Sequence, residues 1–348
     1  MKYLIIVPEI KRTGPINVVK NLIDTPTFKK HKIFIISLRP SKDINFLHEI
    51  ISIENVEVFD SEIYGLLKRL KFFFRIVNKI KPDVIHSHGF YPDVFSCFIV
   101  GGGKKISTIH NIIYQDYSLR YGFKGYLFSF IHYFFLKFGK FYKIFGCSSE
   151  VSISLKKIIK TPNIEFVNNG INIKYFSSLN TNEKLELKRA LGFENKIIIS
   201  FCGGVERVKR VPELVDQYIS KLDNLDFIFL IIGDGPELNK IKESNKIVKL
   251  GRVENPYKYL RISDIVVSNS SSEGYPMAIL EALSSGNKVF LSDIPSHNSI
   301  IGKYPNCAFS IKNLKKDFIL KVLTNKLDNS HLYSISSDKM ANDYLHKL

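Results

Sequence analysis

The sequence contains no long apolar run. Its start, MKYLIIVPEI, has only Leu4 to Val7 in an unbroken aliphatic row before Pro8 and Glu9. A signal peptide needs a longer apolar core and a small-residue cleavage site. The longest uncharged aromatic stretch, GYLFSFIHYFFL, has 12 residues, against about 20 for a membrane-crossing helix. Cysteine is scarce: Cys97, Cys147, Cys202 and Cys307 lie far apart in apolar settings, with no CxxC. That excludes a disulfide scaffold and predicts buried thiols of a reducing cytoplasm. Acidic residues are also short, 33 against 50 Lys and Arg, for a net charge of +17. Such a surplus calls for an anionic partner. No zinc-finger or RNP-type pattern points to nucleic acid. G-x-S-x-G and HExxH are absent, and GGGKK at 101–105 lacks the Walker spacing and reads as a turn.

What is present is a regular alternation. Short apolar runs, YLIIVP, HKIFIISL, VEVFD, DVIHSH, KISTIH, KIFGCS and EFVNN, are separated by amphipathic segments. The pattern then restarts with KIIISFCGG, DFIFLIIGDG, IVKLG, DIVVSN, KVFLSD and AFSI. Alternation of this kind predicts α/β architecture with parallel sheets. The polar segment Ser177 to Lys188 lies between the two series. Two doubly wound, Rossmann-like domains are therefore expected, 1–169 and 170–330. A last helix beginning near Ser337, within a segment 331–348, is expected to return to the first domain. Two such domains imply a cleft, with ligands beyond the carboxyl ends of the strands.

Two segments carry the positive charge. In LLKRLKFFFRIVNKIK, Leu66, Leu67, Leu70, Phe73, Phe74, Val77 and Ile80 recur at helical spacing, with Lys and Arg on the other face. The stretch 117–149 has no Asp or Glu, five Lys or Arg, and twelve aromatics between Tyr121 and Phe145. A basic, aromatic helix of this kind suits an anionic membrane surface, here the inner face of the cell membrane. A core helix with lysines reaching outward is the competing reading.

The stretch SSSEGYPMAILEALSSG raises a sharper question. It reads as a strand exit, a loop bearing Glu273, and a helix over 276–285 with Pro276 at its first position and Gly286 past its end. Glu281 then lies about 7.5 Å along the axis from the helix start. Amides from Gly274 through Tyr275, Pro276 and Met277 to Ala278 border a phosphate-sized site at the helix's positive end. Carboxylates bind sugar hydroxyls, so two of them flanking a phosphate site match sugar, diphosphate and ribose in turn. The ligand so described is a nucleotide-sugar. GGVERVKRVPEL places Arg207 and Lys209 at a helix start, where the dipole disfavours cations, which argues for an anion there. His86 and His88 share one face of a strand, like a metal pair without a third ligand.

These motifs resemble those of the retaining glycosyltransferases of GT-B fold, family four, "glycosyl transferases group 1". The likeness rests on DVIHSHGF at 83–90, STIHN at 107–111, FVNNGINIKYF at 166–176 and IIGDGPELNKI at 231–241. The strongest part is SDIVVSNSSSEGYPMAILEALSSGNKVFLSDI, with its E-x7-E pair. The resemblance implies that Glu273 approaches the donor sugar at the reacting carbon and that Glu281 binds the ribose. It also implies that Lys209 neutralises the diphosphate and that His110 faces the donor sugar. Gly14 would let backbone approach the diphosphate. Two motifs depart from the family: Thr13-Gly14-Pro15 stands where two adjacent glycines are usual, and Gly203-Gly204 where Gly-Arg is common, with Arg207 as a substitute.

The activity so implied is transfer of a hexose or N-acetylhexosamine from a UDP-sugar to a hydroxyl of a lipid-linked saccharide, as in bacterial surface polysaccharide synthesis. The enzyme would need no metal and no cofactor beyond the donor substrate. No D-x-D, the metal-holding motif of the other main glycosyltransferase fold, occurs. A catalytically silent partner subunit and a nucleotide-sugar epimerase share the fold and remain as alternatives.

Overall fold

All thirteen expected apolar runs form strands in the computed structural model, which describes residues 1–61, 65–222, 224–325 and 332–348. The chain divides into two compact units, Met1–Gly170 with Ser337–Leu348, and Ile171–Ser336. The expected boundary at 330–331 lies outside the described residues.

The first unit holds β1 (Lys2–Val7), β2 (Lys32–Ser37), β3 (Val56–Asp60), β4 (Val84–His88), β5 (Lys104–Ile109), β6 (Lys143–Gly146) and β7 (Ile164–Phe166). They form one parallel sheet in the order β3-β2-β1-β4-β5-β6-β7. Near-continuous aliphatic runs suit strands covered on both faces, and Leu4, Ile5 and Ile6 are fully buried. The helix Leu66–Ile80 lays Phe73, Ile76, Val77 and Ile80 on this core. The helix Ser337–Lys347 packs beside the helices Gly14–Ile23 and Pro26–Lys29. Its Tyr344 hydroxyl lies 2.8 Å from that of Thr108.

The second unit holds β8 (Ile197–Cys202), β9 (Phe227–Ile232), β10 (Ile247–Gly251), β11 (Ile265–Ser268), β12 (Lys288–Leu291) and β13 (Ala308–Ser310). Their order is β10-β9-β8-β11-β12-β13, again parallel. The order reverses beside β8, as it does beside β1. In such sheets, residues at the carboxyl ends on either side of the switch share one rim. Here β8 leads to Lys209 and β11 leads to Glu273.

Two expectations are corrected. The aromatic part of 117–149 is not one helix but the end of Ile113–Tyr121 and the helix Phe123–Phe138, followed by β6 where the strand KIFGCS was expected. Gly122 separates the two helices, with φ at 59°. The thiols are not uniformly buried: Cys147 and Cys307 are buried, whereas Cys97 and Cys202 are half-buried.

Candidate donor-sugar site

Glu273 follows β11 in the second unit, and the turn after β8 meets it. Lys209 forms an ion pair with its Oε1. The Ser270 hydroxyl donates to the same oxygen at 2.8 Å. Both contacts fall on Oε1, which leaves Oε2 for a ligand hydroxyl. The side chains are nearly buried, 11% exposed for Glu273 and 27% for Lys209. Burial alone would raise the Glu273 carboxyl. The Lys209 charge and hydrogen bond, with weaker help from the Ser270 hydroxyl, hold it below the ordinary value instead.

The turn carrying Lys209 differs from expectation. Arg207–Lys209 is one turn of 3₁₀-helix, and the α-helix starts only at Val211. Between them Arg210 adopts the left-handed region, φ 48° and ψ 47°, a conformation costly for a side chain with Cβ. Its guanidinium donates from Nε to Asn269 O at 2.9 Å and from Nη2 to Ser270 O at 3.4 Å. Asn269 Nδ2 returns a bond to Arg210 O at 3.3 Å, and Ser271 N reaches Val208 O at 2.8 Å. The turn and the Glu273 loop are thereby bracketed together. Arg207, the second expected cation, is exposed, and its side chain makes no polar contact among the described residues. The GDGP turn supports the same loop from below. Val205 N donates to Asp234 O at 2.9 Å and Glu237 N to Val205 O at 3.0 Å. At Gly233, φ is 146° and a Cβ would fall 1.9 Å from Gly203 O, so only glycine fits.

The helix after Glu273 runs Met277–Ser284, one residue shorter at each end than expected. Pro276 is its N-cap, extended at φ −72° and ψ 115°, not its first helical residue. Having no N–H, Pro276 shapes the approach rather than donating. The N–H groups of Gly274, Met277 and Ala278 donate to no group among the described residues, so they are open to an anion. Tyr275 is buried at 5% exposure. Gly286 follows the helix with φ at 82°, as expected. Glu281 makes no side-chain hydrogen bond or ion pair among the described residues, and burial pushes its carboxyl up to about 7. Such a carboxyl gains most from a ligand diol. Glu281 also adds to burial in raising the Cys202 thiol, which makes that thiol a poor nucleophile.

The remaining candidates belong to the first unit. His110 follows β5, and its Nε2 is 2.9 Å from His88 Nδ1. Burial lowers His110 to about 4, so at neutral pH the pair is two neutral imidazoles sharing one bridging proton. His86 is enclosed by the Tyr3 hydroxyl at 2.9 Å and the Thr108 hydroxyl at 2.7 Å. Burial, then His110, lowers it to about 3. Both ring nitrogens of His86 are thereby engaged within the first unit. No group of three or more His, Cys, Asp or Glu suited to a metal occurs among the described residues. Gly14 begins the helix Gly14–Ile23, and a Cβ there would meet nothing within 4 Å. The protein's own packing does not demand glycine at this position, so it leaves open space at a helix N-terminus.

Sequence reasoning missed Arg210, Ser270, Ser292 and His297. Ser270 and Ser292 stand just beyond strand ends, where the carboxyl-end rule pointed. Arg210 and His297 become visible only through their bonds to that loop.

Two parallel doubly wound sheets, with cation, carboxylates and open helix amides gathered at the rim of the second, define a GT-B-fold sugar transferase. The chain belongs to the group 1 (family four) glycosyltransferases: residues 183–336 match "Glycosyl transferases group 1" and residues 14–175 match "Glycosyltransferase Family 4". It is 27% identical to an O-antigen biosynthesis glycosyltransferase, WclY, of Escherichia coli, over 99% of this chain and 97% of that protein. It is 24% identical to the UDP-Gal:alpha-D-GlcNAc-diphosphoundecaprenol alpha-1,3-galactosyltransferase of the same organism, over 79% and 72%. The fold matches Anabaena HepE, solved with UDP-glucose, at a TM-score of 0.80 and 14% identity, covering both chains fully.

Proposed function

We propose that the chain is a retaining, metal-independent transferase. It moves a hexose or N-acetylhexosamine from a UDP-sugar to a hydroxyl of a lipid-linked saccharide in surface polysaccharide assembly. The observation that carries this reading is the Lys209–Glu273–Ser270 constellation, with Glu281 unpaired eight residues on. The ligand diphosphate takes Lys209 and the open amides of Gly274, Met277 and Ala278. Glu273 Oε2 receives a sugar hydroxyl beside the reacting carbon, and Glu281 receives the ribose diol. Lys209 and the helix amides stabilise charge as it develops on the departing UDP. The name of the undecaprenol-linked galactosyltransferase supports a lipid-linked acceptor.

Work at the inner membrane face is supported by the helix Phe123–Phe138, whose packing is inverted. Its inward residues are Gly125, Ser129, His132 and Leu136. Its outward residues are Phe123, Tyr126, Leu127, Phe130, Phe134 and Phe138, from 51% to 89% exposed. Lys124, Lys137 and Lys140 accompany them. An aromatic face with flanking cations fits an interface of anionic headgroups over acyl chains. No helix among the described residues is long and apolar enough to cross a membrane.

The test is UDP release from a panel of UDP-sugars, with and without bacterial lipid extract. Release from one sugar that rises with lipid supports the whole reading. Release with no dependence on lipid refutes the acceptor, and no release from any donor refutes the UDP-sugar assignment.

A further inference from the structure

His297 lies on the helix Pro295–Lys303 and is fully buried. No sequence motif singled it out. Its Nδ1 is 3.2 Å from Ser292 O and 3.0 Å from Ser292 Oγ. The carbonyl oxygen can only accept. The Ser292 hydroxyl spends its one proton on Ser270 O, at 2.6 Å, so it too accepts from the ring. Burial lowers this imidazole to about 4, so it is neutral at physiological pH. A neutral imidazole has one N–H, and it must be at Nδ1. Nε2 is therefore a bare acceptor, buried and without a partner among the described residues.

The bonds run on to the carboxylate. His297 Nδ1–H fixes Ser292, and Ser292 fixes the Ser270 carbonyl. The Ser270 hydroxyl then donates to Glu273 Oε1 at 2.8 Å. Ser270, Ser292 and His297 are each at most 3% exposed, so no solvent competes along this chain. Arg210 holds the same Ser270 carbonyl from the other side.

We propose that His297 is a positioning residue for the transfer reaction: through Ser292 and Ser270, its Nδ1–H sets the orientation of the Glu273 carboxylate toward the donor sugar. The inference rests on the reading of Glu273 as the sugar contact. His297 touches no substrate in this scheme, since its free nitrogen is buried.

The nitrogen that matters can be tested directly. Asn places an N–H near the position of Nδ1, whereas Gln places its amide nearer that of Nε2. Donor turnover and thermal unfolding are measured for His297→Asn, His297→Gln, His297→Leu, Ser292→Ala and the Ser292→Ala/His297→Leu double variant. The expected result is that Asn retains most of the rate. Gln and Leu lose on the order of ten- to a hundredfold in kcat, the scale of a misplaced catalytic group, with donor KM little changed. Ser292→Ala loses a similar factor, and the double variant loses no more than the worse single, because both act through one chain. Gln matching Asn, Leu keeping the rate, or additive losses would each overturn the proposal. Should the Leu variant not fold, the Asn–Gln comparison and Ser292→Ala still decide. Glu273→Gln is measured alongside. If it keeps full rate, the reading of Glu273 has failed. If it loses rate while His297→Gln does not, only the role of His297 has failed.

Discussion

Glu273 and Glu281 are both carboxylates at one rim, yet their surroundings drive them apart. Lys209 keeps Glu273 ionised, while burial without a partner pushes Glu281 up to about 7. Removing Glu273 or Lys209 is expected to cut kcat by roughly 10²–10³, the scale of losing one preorganised electrostatic contact, with the fold intact by circular dichroism. Unchanged turnover would dismiss the donor-site assignment. With the ribose diol on Glu281, as proposed, that contact depends on pH, because hydroxyls donate best to the ionised carboxylate. Donor KM is expected to rise as pH falls below about 7, and Glu281→Gln should flatten that dependence. The stability linkage has the opposite sign to that of a salt-bridged carboxylate. Glu281 ionises more readily unfolded than folded, so as pH rises from 4.5 to about 7 its burial costs stability. Glu281→Gln should therefore raise Tm at pH 8 and leave it unchanged near pH 4. An equal change at both pH values would show that Glu281 is not desolvated.

At the scale of elements, the helix Phe123–Phe138 is the anomaly. An ordinary amphipathic helix buries its aromatic face, and this one buries Gly125, Ser129 and His132 with one aliphatic residue, Leu136. Gly125 permits the close packing, since a Cβ there would lie 2.1 Å from Tyr117 O. His132 Nε2 lies 2.7 Å from the buried Asp93 carboxylate, and its Nδ1 is 2.9 Å from the Tyr117 hydroxyl. Replacing Phe123 and Phe130 with Ser is expected to reduce sedimentation with anionic vesicles several-fold while Tm holds, because those rings contribute little to the core. Replacing Lys124, Lys137 and Lys140 with Glu should weaken it further at low salt than at high salt. Lys143 is a poor choice for that series, because it lies in β6 and pairs with Glu165. Vesicle binding unaffected by either set would remove the membrane reading. The composition of 117–149 and its strand KIFGCS were visible in the sequence, but the break at Gly122 between two helices was not. Periodicity does not report which face of an aromatic-rich helix turns outward when apolar residues occur all round it.

At the scale of the whole molecule, the proposed independence from metal has a direct check. Full activity is expected in excess EDTA, and loss restored by added divalent cation would contradict it. The strand pattern and the E-x7-E spacing were legible because they are local. β-branched runs bounded by Gly, Asn and Asp specify strands, and turn residues specify where the chain leaves them. All thirteen strands and the helix carrying Glu281 could be read in this way. Other features depend on contacts between segments far apart in the chain. The bond of Arg210 to the loop at 269–270 joins segments 59 and 60 residues apart. Ser292 and His297 are tied to Ser270 across neighbouring strand ends, and Lys209 and Glu273 meet only because β8 and β11 are adjacent in the sheet. By itself, then, the sequence determined the two parallel sheets, the family and the identities of the carboxylates. The tertiary structure decided which cation meets Glu273, which carboxylate stays unpaired and which histidine nitrogen holds the proton. Burial and hydrogen-bond partners determine those states, and neither exists until the strands are side by side.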